Sequence, residues 1–148
     1  MVALAALRHR SLWVVAGVVV VALVVLLAVR GSSGEVVEAG GAKVLIAGSQ
    51  SGGSDALGGG TLEVVGGCLG ADGSVYVFPE GTEVVDEGPL TIDIPGAGEV
   101  SLGEDFEVGG GWEVEHSSGD MEPGAIEVGG VTVPAECAEH DIFLSAPE

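Results

Sequence analysis

Two hydrophobic patterns divide this chain. From Leu12 to Val29, eighteen apolar residues run without a charge, an Asn, a Gln or a Pro. A helix over that run is roughly 27 Å long at about 1.5 Å per residue, close to the hydrocarbon thickness of a bilayer. From Thr61 onward the pattern has a period of two, the spacing of half-buried β-strands. Leu90, Ile92 and Ile94 alternate with Thr91 and Asp93, and Pro95-Gly96 stops the run. Phe106 and Val108 flank Glu107, while Trp112 and Val114 flank Glu113. Such strands turn an apolar face inward and a polar, mostly acidic face outward.

Turn chemistry separates these runs. Gly129-Gly130 stands between Ile126-Glu127-Val128 and Val131-Thr132-Val133. That order predicts a two-residue hairpin, because Gly accepts positive φ at both central positions. Asp72-Gly73 predicts a turn between strands at Val64–Leu69 and Val75–Phe78, and Ile142-Phe143-Leu144 predicts a last strand. One turn of helix is expected at Pro134–His140, with Pro134 opening it. Lys43–Ala47 has a strand pattern, whereas nine of the thirteen residues from Gly48 to Gly60 are Gly or Ser and compose a linker or mobile loop. The main domain therefore starts at Lys43 or at Thr61. The expected fold is all-β, a small OB-like barrel or a sandwich, preceded by one N-terminal transmembrane helix. The corresponding division is a short arm over 1–10, a signal-anchor helix over 11–30, a Gly/Ser-rich tether over 31–60 and an acidic β domain over 61–148.

The apolar run exceeds the usual core of a cleavable signal, and its exit, Leu27-Ala28-Val29-Arg30, is a poor cleavage site. A retained anchor is the expectation and a removed signal peptide the competing reading. Arg8 and Arg10 place the amino-terminal arm inside and the bulk of the chain outside. Residues 31–148 carry one lysine, Lys43, against 23 acidic residues, a formal charge of −22. That field repels DNA, RNA and anionic lipid, so nucleic acid is excluded as a partner and cations or basic proteins are favoured. Cys68 and Cys137 are the only cysteines. In an extracytoplasmic domain of this size such a pair is expected to form a disulfide.

Several short segments carry a resemblance. Gly66-Gly67-Cys68-Leu69, Val77-Phe78-Pro79-Glu80-Gly81-Thr82, Leu102-Gly103-Glu104 with Gly109-Gly110-Gly111, and Val133-Pro134-Ala135-Glu136-Cys137 stand in that order. Over Thr61 to Leu144 the chain resembles small exported or membrane-anchored proteins of high-GC Gram-positive bacteria, which are generally uncharacterised. The resemblance implies an exterior location and a Cys68–Cys137 pairing, and no activity.

Candidate chemistry is sparse. His116, Cys137 and His140, with Met121 upstream, contain the atom types of a copper site, but no Met follows His140 where an axial ligand usually falls. Glu80, Glu83, Asp86 and Glu87, and Glu104, Asp105 and Glu107, offer oxygen ligands without a calcium-loop motif, so they are expected to form a solvated face. His116-Ser117-Ser118 with Asp120 contains the residue types of a hydrolytic triad, yet sequence neighbours seldom converge as one. No nucleophile elbow, zincin or Walker motif is present. No Asn is present either, so no N-glycosylation site exists. Trp112 is expected in the core rather than as a sugar platform. The expectation is a non-enzymatic, cofactor-free interaction or structural module tethered to the membrane, with an unidentified envelope partner. The alternative is a metal-binding or electron-transfer module using His116, Cys137 and His140.

Overall fold

A computed structural model describes residues 33–49, 55–116 and 124–146. The apolar run Leu12–Val29 lies outside them, and among the described residues no helix is long and apolar enough to cross a membrane. The described chain is all-β, with twelve strands in three sheets.

The centre of the fold is made by the three most continuously apolar runs. These are β2 (Ala42–Ile46), β5 (Ser74–Phe78) and β12 (Ile142–Ser145). β5 pairs in parallel with β2 on one side and with β12 on the other. Parallel strands are covered on both faces and so read as unbroken apolar runs rather than alternations. Successive side chains in β5 enter two separate cores: Tyr76 and Phe78 one, Val75 and Val77 the other. Val44 and Ile46 of β2 join the first core and Leu45 the second, as Phe143 and Ile142 of β12 do.

Longer antiparallel strands complete the main sheet. β3 (Ala56–Val65) pairs with β4 (Cys68–Ala71) and with β9 (Asp105–Val114). β4 pairs with β5, and β9 pairs with β12. The pairings β3–β4–β5–β12–β9–β3 thus return to their start. β1 (Glu35–Ala39) extends the sheet beyond β2. A second sheet, β6 (Glu83–Glu87), β7 (Leu90–Ile94) and β8 (Gly98–Ser101), brings Leu90, Ile92, Ile94 and Val100 to the first core. The hairpin β10 (Ile126–Val128) and β11 (Val131–Val133) brings Val128, Val131 and Val133 to the second.

The predicted turns at Asp72-Gly73 and Gly129-Gly130 form, with positive φ at all four residues. Pro134–Ala138 makes a turn in which the Cys137 and Ala138 amides donate to the Pro134 carbonyl, and no helix follows. The expected tether needs correction. β1, β2 and the first half of β3 all fall within residues 31–60, so the folded unit begins near Ser33. β1 offers only Val36-Val37 between two glutamates, followed by Ala39, too little alternation to mark a strand.

The glycines of β3 have the composition of a linker, but they serve close approach. A Cβ at Gly58 would lie 2.6 Å from the Phe143 ring, and one at Gly59 would lie 2.2 Å from the Phe106 carbonyl oxygen. The Gly59 amide also donates to the Tyr76 hydroxyl at 2.9 Å, which gives a buried phenol its partner. Glycine in a strand marks such approaches.

This account makes Gly58→Ala destabilising by about 1–3 kcal/mol, the usual range for overpacking. Gly109→Ala in the neighbouring strand meets open space and should change stability by no more than about 0.5 kcal/mol. Chemical denaturation of the two variants checks this, and equal effects would refute the close-packing explanation.

Candidate functional site

The residues singled out by their chemistry meet at one corner, where β4 begins and β12 is entered. Cys68 and Cys137 are disulfide-bonded, with 5.9 Å between their Cα atoms and 69 residues between them in sequence. Both are fully buried. A cross-link closing a loop of this length stabilises by about 4 kcal/mol in the chain-entropy model. It fastens the Pro134–His140 segment, which forms no ladder of its own, to the edge of β4.

Polar contacts surround the bond. The Lys43 ammonium lies 2.8 Å from Glu136, and the Lys43 amide donates to the Gly67 carbonyl at 2.9 Å. The His140 ring lies against Gly66, where a Cβ would come within 2.7 Å of its Cδ2 and Nε2. Asp141 Oδ1 accepts from the His116 amide at 2.7 Å and stands 3.2 Å from His116 Nδ1. These contacts tie the ends of β9 and β12 together beside the cross-link.

Sequence proximity of Cys137 and His140 therefore has a structural basis, but not a metal site. The Cys137 sulfur is bonded to Cys68, so it supplies no thiolate. Among the described residues no group of three or more His, Cys, Asp or Glu side chains is placed to hold a metal ion. Ser117, Ser118, Asp120 and Met121 lie outside the described residues. His116 turns to Asp141, a partner 25 residues away that sequence adjacency did not reveal.

The acidic groups separate into two kinds. Some accept local or cross-strand bonds: Glu104 accepts from the Ser101 amide and Asp86 from the Gly88 amide within turns, and Asp105 accepts from the Thr61 hydroxyl across β3 and β9. Others stand on the outer face of the second sheet. Glu83 pairs with Asp93 across β6 and β7, and Asp93 pairs with Glu99 across β7 and β8. All three are exposed. Like charges directly opposite one another on neighbouring strands are destabilising. Alternation alone places each of them outward, and the row becomes visible only once strand register is known.

Trp112 differs from expectation. It is 46% exposed and packs edge-on against Phe143, with ring centroids 5.2 Å apart. The ladder between β9 and β12 shifts register at Ile142/Phe143, so the alternation across Trp112 and Val114 does not deliver both to one core.

No protein-family model, curated protein or solved structure matches the chain.

The Asp141 carboxyl is held below the ordinary aspartate range, first by the His116 amide hydrogen bond. Glu136 is lowered by its bond from Lys43, and Lys43 is raised by the same contact. A depressed folded pKa stabilises above the unfolded value and loses that contribution as pH falls through the folded one. The wild-type protein should therefore melt above Asp141→Asn at neutral pH, with the gap shrinking below about pH 4. Thermal melts across that range check this; a gap that stays constant down to strong acid would contradict it.

Proposed function

We propose that the chain is a membrane-tethered extracytoplasmic interaction module that presents an acidic β surface to a basic protein partner. The observation that carries this reading is the Glu83–Asp93–Glu99 row, in register across the three strands of the second sheet. Lys43, the only Lys or Arg after Arg30, is bound elsewhere, to Glu136. The row weakens its own sheet, and a basic partner would turn that repulsion into attraction. Tethering comes from Leu12–Val29 acting as a single-span anchor with the amino terminus inside, and the disulfide fits an oxidising exterior. The closed cycle of five strands supports a small barrel of OB type as the platform. No catalytic role is assigned.

The test uses full-length protein in zwitterionic detergent micelles and a fluorescent oligolysine peptide, followed by anisotropy. Binding should weaken as salt rises. The triple variant Glu83→Gln, Asp93→Asn, Glu99→Gln should bind several-fold more weakly and be at least as stable as the parent. Binding that ignores both salt and the triple substitution would overturn the reading.

A further inference from the structure

The two ends of the disulfide are held very differently. Cys68 opens β4, in register with Val65 of β3 and Lys43 of β2, so it stands inside the main sheet. Cys137 stands on the Pro134–His140 segment, which belongs to no strand. That segment's own hydrogen bonds are local. The Cys137 and Ala138 amides donate to the Pro134 carbonyl, and the His140 amide donates to the Cys137 carbonyl. Lifting the segment as a unit breaks none of these bonds.

Few contacts keep the segment seated. Its buried residues are Cys137 and Ala138, whereas Ala135, Glu136 and Glu139 are exposed. Lys43 reaches Glu136 from β2 at 2.8 Å, and the His140 ring rests against Gly66. Just beyond it, the Asp141 carbonyl accepts from the Val75 amide at 2.8 Å. The hairpin before it makes a sheet of its own rather than joining the main one. A surface ion pair and so little apolar burial cost less to open than the whole domain. Both cysteines are nevertheless fully buried while the segment is seated. Thiol–disulfide exchange requires access to a sulfur, so the closed form resists it.

We propose that the Cys68–Cys137 bond is a gated redox lock: local lifting of Pro134–His140, with the main sheet still folded, admits a dithiol that reduces it. One thiolate of the dithiol bonds to a cysteine sulfur and expels the other cysteine, which takes up a proton. The second thiol of the reductant then closes on the first. The reductant leaves as a cyclic disulfide and releases the remaining cysteine as a thiol. Two electrons and two protons pass to the protein. The segment thereby loses its covalent hold on β4, and its seat over the second core depends on the Lys43 and Asp141 contacts. This lock needs no basic partner. It gives the domain a separate response, to the redox state of its surroundings.

The test follows reduction of the full-length protein in zwitterionic micelles by excess dithiothreitol, with thiols counted by alkylation and mass. Rates are measured at urea concentrations below the unfolding transition. Lifting one short segment exposes little surface, so the rate should be nearly independent of urea. Ile92→Val supplies a second readout, because Ile92 lies in the other core. It should raise the unfolded fraction about fivefold, which chemical denaturation measures, yet leave the reduction rate unchanged. Three results would each overturn the proposal and make the bond purely structural. The rate could climb with urea as steeply as global unfolding does, rise in Ile92→Val by the same factor as the unfolded fraction, or stay undetectable until the domain unfolds.

Discussion

Burial of both faces of β2, β5 and β12 is the constraint on which the rest of this domain depends. Three neighbouring parallel strands cannot leave a face in water, because their side chains are apolar at nearly every position. One face is closed by the second sheet and by the aromatic cluster of Tyr76, Phe78, Phe106 and Phe143. The other is closed by a short hairpin and the Pro134–His140 segment. That second cover has little regular structure of its own, and the disulfide supplies what it lacks. The Cys68–Cys137 bond joins the cover to the sheet, and Lys43–Glu136 and His116–Asp141 fasten its margins. The first cover needs no such link, since five large buried side chains from β7 to β9 already hold it: Leu90, Ile92, Ile94, Val100 and Phe106.

Much of this was legible in the sequence. Period-two runs located β7, β9 and the β10–β11 hairpin, and the unbroken apolar runs located β2, β5 and β12. What composition concealed was the role of glycine. Gly58 and Gly59 are written like linker residues, yet they are small because Phe143 and the Phe106 backbone occupy the space. No local rule distinguishes a glycine needed for freedom from one needed for proximity; only the partner across the sheet does. β1 was hidden for a different reason. It is an edge strand with glutamates at both ends of Val36-Val37, and its pairing with β2 depends on the Gly40-Gly41 turn rather than on its own pattern.

The candidate site followed the same division. The cysteine pair was legible because the chain holds only two cysteines, and they are joined. Cys137 does not offer a thiolate beside His140, because its sulfur is bonded to Cys68, and His116 turns to Asp141. The Glu83–Asp93–Glu99 row required strand register, which a single sequence does not display.

Hydrogen exchange on the folded protein tests the central claim most directly. If double-faced burial holds the domain together, the amides of Val77 and Phe143 should open only with global unfolding, at the free energy found by denaturant. Ile92 in the second sheet should open at a lower free energy, because that sheet is covered on one face only. Exchange at Val77 or Phe143 as easy as at Ile92 would contradict the account and move the organising centre to the second sheet.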